Sequence, residues 1–271
     1  MAAIDTIASF QGTVNSTLAA GVMATGDSAT VRNFPASSAA HVIDAFYDDV
    51  TTPLPARVRS PLLADNVRGI EFNPGGSAPE NLYPSPFPQA LYAQDSLIFE
   101  LSTAASTGKA LLALGIYYDQ LPGAAARLFS PGDIQGIVAN VKPVFVAIGS
   151  GANTAGQWLD TLITTTENLL VANTDYAVLG IAFDQAVAAV GIKGQDTGNL
   201  RVCAPGAVAP RFGSDYFYRL SMLTGKPCIP VINSANAGST FVSIVSSAAT
   251  GAAGTVLLYL AELSQNLAAT P

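Results

Sequence analysis

Apolar residues in this chain fall in short runs broken by Gly, Pro, Asn and Asp, which is the pattern of strands and turns. The clearest example is 96–121. Leu97, Ile98, Phe99 and Leu101 lead into a small-residue turn, and a second apolar arm closes on Ile116, Tyr117, Tyr118 and Asp119. The pattern returns at 240–263, with Phe241, Val242, Ile244 and Val245, another small-residue turn, then Leu258, Tyr259, Leu260 and Glu262. β-branched and large apolar residues on both arms predict a β-hairpin in each case. The turns share Ser-Thr-Ala-Ala-Ser-Thr-Gly at 102–108 and Ser-Ser-Ala-Ala-Thr-Gly at 246–251, which sets Ala104 against Ala248.

Two further pairs follow the same order. Residues 18–23 are apolar, 24–27 form a turn and 28–34 alternate as a half-buried strand; 169–172 are apolar, 173–175 form a turn and 176–183 read as a strand, with Asp27 against Asp175. Between them, 66–70 followed by Asn73-Pro74-Gly75 resembles 199–202 followed by Ala204-Pro205-Gly206, with Arg68 against Arg201. Three pairs in one order predict two divergent copies of a β-module with unequal loops.

The remaining segments are less regular. Residues 4–15 fit a short helix or an extended arm. The prolines of 50–61 and 75–88 predict loops or edge crossings, since proline has no amide to give a sheet ladder. Ser130-Pro131-Gly132-Asp133, with Ile134, Ile137 and Val138 at helical spacing, predicts a short helix ended by Pro143, then a strand at 144–148. Residues 157–170 fit helix nearly as well as strand. The aromatic stretch 207–224 reads as loop, and 226–232 as a strand bracketed by Pro227 and Pro230. The resulting division is an N-terminal arm at 1–17, a first β-module at 18–121, a connector at 122–159 and a second module at 160–271.

Composition narrows the function classes. Only 11% of the 271 residues are charged, against about 25% in ordinary soluble domains, while Ala, Gly, Ser and Thr are abundant. Such a surface suits a protein covered by neighbours in an assembly, and equally a quiet secreted β-protein. A net charge of −7 with no basic run argues against wrapping nucleic acid. The longest strongly apolar run, 110–118, is short of the roughly 20 residues a spanning helix needs. The N-terminus lacks the basic and apolar regions of a signal peptide, so synthesis in the cytoplasm is expected. Cys203 and Cys228 are the only cysteines; a disulfide between them is geometrically open, and two cytoplasmic core thiols is the expectation.

Candidate chemistry is sparse. Asp196-Thr197-Gly198 is the tripeptide of an aspartic protease, but Gly194-Gln195 precede it instead of a buried apolar strand, so an exposed turn is expected. Residues 144–154, with Glu167 downstream, resemble a dinucleotide fingerprint whose third glycine is replaced by Thr154, and a flexible connector is expected there. His41 is the only histidine, too few for the two or three imidazoles of metal-dependent β-barrel enzymes, and no Gly-x-Ser-x-Gly elbow accompanies it. It reads as a loop residue. Asp44, Asp48 and Asp49 suit either a hard cation or a solvated acidic segment. No catalytic, cofactor-binding or metal residue is assigned.

Sixteen strands in two similar halves have the scale of two tandem eight-stranded jelly-roll β-sandwiches with a few short helices in loops, an all-β protein. In this layout the chain resembles the double jelly-roll major capsid proteins of tailless icosahedral viruses and phages. The resemblance implies a non-enzymatic virion protein whose trimers tile an icosahedral shell, with a vertex protein and an internal membrane as further partners and no direct binding of nucleic acid. A spike, decoration or adhesin-like binding module is the alternative, and a hydrolase using His41 or Asp196 a more distant one.

Overall fold

The computed structural model describes residues 1–12, 18–49, 56–63, 66–72, 80–101, 110–148, 154–163, 170–185, 187–206, 213–247 and 254–267, with backbone alone for 48–49 and 80–88. It is β-rich, and its named strands lie in four antiparallel sheets. In the first half, β1 (Ala3–Gln11), β3 (Val22–Met23), β4 (Ala40–Asp49), β7 (Glu80–Leu91) and β9 (Ala110–Tyr118) form a sheet in the order β3-β1-β9-β4-β7. Facing it, β2 (Ala19–Ala20), β5 (Ala56–Arg59), β6 (Ile70–Phe72) and β8 (Ile98–Leu101) are ordered β2-β8-β5-β6.

The second half begins with β10 (Leu128–Phe129), α1 (Pro131–Ile134) and β11 (Val138–Ile148). With β13 (Asp175–Phe183), β16 (Ile229–Asn233) and β18 (Gly254–Leu263) these strands form the order β10-β16-β13-β18-β11, while β12 (Leu159–Leu162), β14 (Ala189–Lys193), β15 (Val202–Pro205) and β17 (Phe241–Val245) run β12-β17-β14-β15. Leaving aside the short β3 and β10, both halves place their first, eighth, third and sixth strands in one sheet and their second, seventh, fourth and fifth in the other.

Two of the three sequence pairs land on equivalent strands. The arms of 96–121 are β8 and β9 and those of 240–263 are β17 and β18, but neither pair is the expected hairpin: β8 and β17 belong to the four-stranded sheets and β9 and β18 to the five-stranded ones, so each segment passes from one sheet to the other. Residues 66–70 and 199–202 lead into β6 and β15. The shared small-residue turns lie largely outside the described residues. The remaining pair does not hold, because the counterpart of β13 is β4 and not 28–34. That segment meets its neighbours at a single bridge, Thr30 to Ser96, and at scattered amides such as Val31 N–H to Asp95 O at 2.8 Å. Its alternation is nevertheless real burial: Val31 and Phe34 point inward, and the Phe34 ring meets Tyr118 edge-on at 6.1 Å.

The segments read as arm and connector each supply a full strand. β1 pairs with β9 along its nine residues, from Ala3 opposite Tyr118 to Gln11 opposite Ala110, and β11 pairs with β18 from Val138 to Ile148. Pro143 lies inside β11 and does not precede it. It is tolerated because β11 is an edge strand, where one side of the backbone needs no ladder partner. The prolines of 84–88 are accommodated the same way in β7, the outer strand of its sheet, whose pairing with β4 slips twice. α1 starts where expected, with the Ser130 N–H held by the Asp133 carboxylate at 2.8 Å, but it ends at Ile134, and Val138, counted among its helical positions, begins β11. Residues 159–162 of the ambiguous 157–170 are the strand β12.

The aromatic stretch is not all loop. Tyr216–Thr224 is a helix, α2, with Tyr216, Phe217, Leu220 and Ser221 on its buried stripe and Gly225 at φ 68°, closing it through a bond to Ser221 O of 3.0 Å. α2 packs on the outer side of β13. A Cβ at Gly180 would sit 1.8 Å from Gly213 O, so only glycine lets the segment before the helix reach the strand. Gly180→Ala should therefore destabilise the protein by about 1–3 kcal/mol, the usual cost of overpacking. Urea unfolding of the variant measures this.

Candidate functional site

The outer face of the first five-stranded sheet is met by the second half along a seam, as in the hydrogen bond of Tyr216 to Asp44 and the ion pair of Lys226 with Asp119. His41 is in β4 and not in a loop, half-buried, with Nε2 3.5 Å from Asp119 Oδ2. Asp119 Oδ1 in turn receives Lys226 Nζ at 2.8 Å, and the ammonium lies 4.8 Å from the centre of the Tyr117 ring. Burial lowers the His41 pKa, the Lys226 charge lowers it further, and Asp119 opposes both. The Lys226–Asp119 ion pair, with His41 beside it, is a clasp between the halves.

Asp44 is not solvated. It is 1% exposed and accepts a short hydrogen bond from Tyr216 Oη of α2 and one from Ala45 N–H at 2.7 Å. Burial, and then the neighbouring Asp44 carboxylate, push the Tyr216 phenol well up, so it remains a donor. The side chains of Asp48 and Asp49 lie outside the described residues. Among the described residues no three His, Cys, Asp or Glu side chains are grouped so as to hold a metal.

Asp196 departs most from its sequence reading. It is buried in a one-turn 3₁₀ segment, Gln195–Thr197, closed by Gly198 at φ 66°. Its Oδ2 accepts Asn233 N–H and Asn236 Nδ2–H, each at 3.0 Å, and Oδ1 is 3.6 Å from Arg127 Nη1. Arg127 also grips Asp175 with both amino groups, Nη1 to Oδ1 at 3.0 Å and Nη2 to Oδ2 at 2.5 Å. Burial pushes the Asp175 carboxyl up, but the bonds from Arg127, Leu267 N–H and Asn233 outweigh it and hold it below the usual aspartate value. An aspartic protease needs two carboxyls sharing a proton. Here a guanidinium stands between them, and the pair ties β13, β16 and the C-terminal segment together.

A cleft of about 700 Å³ opens along the edge of the seam, lined among others by Asp5, Asp27, Arg32, Tyr118, Lys193 and Arg201. Inside it Arg201 Nη2 is 3.2 Å from Asp160 Oδ2, Lys193 Nζ reaches the same oxygen at 3.4 Å, and Arg32 Nε binds Asp5 at 2.7 Å. The Arg201 guanidinium stacks 4.7 Å from the ring centre of Trp158, the one tryptophan of the chain. No sequence motif marked this group; the matches of Asp27 to Asp175 and of Arg68 to Arg201 touched two members without bringing them together. The fingerprint-like glycines at 149–151 and Glu167 lie outside the described residues.

Cys203 and Cys228 are free and buried, and burial pushes both thiols up to about 12, far from a reactive thiolate. A different feature is the outer face of β11. Val141 and Phe145 are 54% and 51% exposed and stand beside the half-buried Leu257 and Tyr259 of β18, Phe145 directly opposite Leu257 and Pro143 opposite Tyr259. No helix among the described residues is long and apolar enough to cross a membrane.

No family model and no curated protein matches the chain. Among solved structures it is similar to the major capsid protein P2 from bacteriophage PM2, at 10% identity over 98% of this chain and 99% of that one, with a TM-score of 0.23. It is similar also to the T=1 Penaeus vannamei nodavirus protein, at 10% identity over 97% and 98% with a TM-score of 0.26, and to the STIV MCP, at 9% over 97% of each with a TM-score of 0.20.

The Asp196 geometry gives two expectations. Asp196→Ala strands two half-buried donors, Asn233 N–H and Asn236 Nδ2–H, and should cost about 1 kcal/mol or more in urea unfolding. Asp175, whose folded pKa is depressed, contributes stability that is present above its unfolded value of about 3.9 and lost as the pH falls below it. Asp175→Asn should flatten that acid limb of the stability profile.

Proposed function

We propose that the chain is the subunit of an icosahedral shell, a double jelly-roll major capsid protein with one sandwich at 3–118 and the other at 138–263. The observation that carries this reading is the repeated strand order. In each half, leaving aside β3 and β10, strands one, eight, three and six share a sheet and two, seven, four and five share the other, an order that supports the eight-stranded, two-Greek-key arrangement of capsid and lectin domains. Fold alone does not assign function, so composition and surface must agree. The low charge and the apolar face of Val141, Phe145, Leu257 and Tyr259 suit a subunit whose copies cover one another.

In this reading the functional unit is a homotrimer, the location is the virion after synthesis in the host cytoplasm, and the chain has no enzymatic role and no cofactor. A vertex protein and an internal membrane are its further partners; the net charge of −7 argues against direct contact with the genome.

Mass measurement on the purified chain should give trimers or larger particles that persist at about 1 M salt, where surface ion pairs are screened. Val141→Lys combined with Phe145→Lys should yield monomers with unchanged β content. A monomeric wild-type protein would favour an accessory or adhesin-like module instead.

A further inference from the structure

We propose that Asp27 is a proton-operated latch between the two halves, closing more tightly as the solution is acidified. The assignment does not rest on the capsid reading. Asp27 ends the turn Ala24–Asp27 of the first half, and its side chain is 2% exposed. Oδ2 accepts Ala8 N–H from its own half at 2.6 Å and Trp158 Nε1–H from the other at 2.9 Å, while Oδ1 lies 3.6 Å from Arg201 Nη1. One carboxyl thus ties β1 to two side chains of the second half, and the adjoining cleft gives water access to them.

The charged and titratable groups around it can be named element by element. Asp5 on β1 is neutralised by Arg32, Tyr118 on β9 is a protonated phenol, and Asp160 on β12 shares Arg201 with Asp27 and also binds Lys193 on β14. Cys203 on β15 is an uncharged thiol at neutral pH. Burial raises the Asp27 pKa to about 6, against the bonds from Trp158 and Ala8 and the charge of Arg201. Separated halves would hydrate this carboxyl and return it to about 3.9.

The closed seam therefore holds the proton more tightly than an open one, and mass action favours closure as pH falls. Between pH 7 and pH 5 the ratio of closed to open forms should rise about tenfold. The other titrating group of the seam, His41, works in the opposite sense. Its pKa is lowered on closure, so acid favours opening there, and the two contributions must be separated by substitution.

The carboxyl carbon of Asp27, followed by NMR in the intact chain, should titrate near pH 6, and Trp158 fluorescence should change with the same midpoint. Asp27→Asn, which keeps the acceptor and removes the charge, should abolish the fluorescence transition and resist urea at pH 7 at least as well as the wild type. His41→Gln should leave the transition in place. An Asp27 carboxyl titrating near 4 in the wild-type protein overturns the proposal whether or not the variants fold. So does a Trp158 transition that survives Asp27→Asn or disappears in His41→Gln.

Discussion

The central strands of the first five-stranded sheet, β1, β9 and β4, have almost no solvent face among the described residues. One side packs on its own four-stranded partner and the other on the second half, so all nine residues of Ala110–Tyr118 are buried. An antiparallel sheet ordinarily alternates apolar inward and polar outward, and a strand covered on both faces reads as a continuous apolar run. That constraint explains ALLALGIYY, and it dictates the chemistry of the seam. A polar group on the covered face must find a partner there or be destabilising. Asp44 finds the Tyr216 hydroxyl and the Ala45 N–H.

The second sheet is covered unevenly. β13 is buried beneath α2, whereas β11 at the edge leaves Val141 and Phe145 in solvent. Edge strands invite strand-to-strand pairing with other chains, and proline in an edge discourages it. Pro143 in β11 and the prolines of β7 interrupt both edges, while the apolar side-chain face of β11 stays available. Association through side chains is thereby favoured over uncontrolled sheet extension.

Close approach sets other local choices. Gly156, at φ 71°, has the Phe10 ring where a Cβ would be, 2.3 Å from Cγ, so a first-half aromatic seats directly on second-half backbone. The carboxylates follow a related logic. Asp27, Asp160, Asp175 and Asp196 each meet an Arg in a buried or half-buried setting, which places many of the chain's few charges within contacts that join strands and halves.

The all-β character, the strand arms within 96–121 and 240–263, the strand leads at 66–70 and 199–202, the turn at 24–27 and the helix start at Ser130 were legible in the sequence by itself, because each depends on periodicity, turn residues or capping within a few positions. That the two arms of each segment part into different sheets instead of pairing as a hairpin was not. What only the tertiary structure decided is what depends on distant partners. The alternation of 28–34 signalled burial correctly, yet whether it is laddered depends on which strand β13 corresponds to, and that is β4. Asp-Thr-Gly at 196–198 is a turn locally, but its burial comes from Arg127, Asn233 and Asn236, the last two about forty residues downstream. The Tyr-Phe-Tyr run at 216–218 has strand-like propensity and becomes a helix because its stripe finds β13 and Asp44 to cover. The grouping of Asp27, Trp158, Asp160 and Arg201 carries no motif at all, since its members are joined only when the two halves meet.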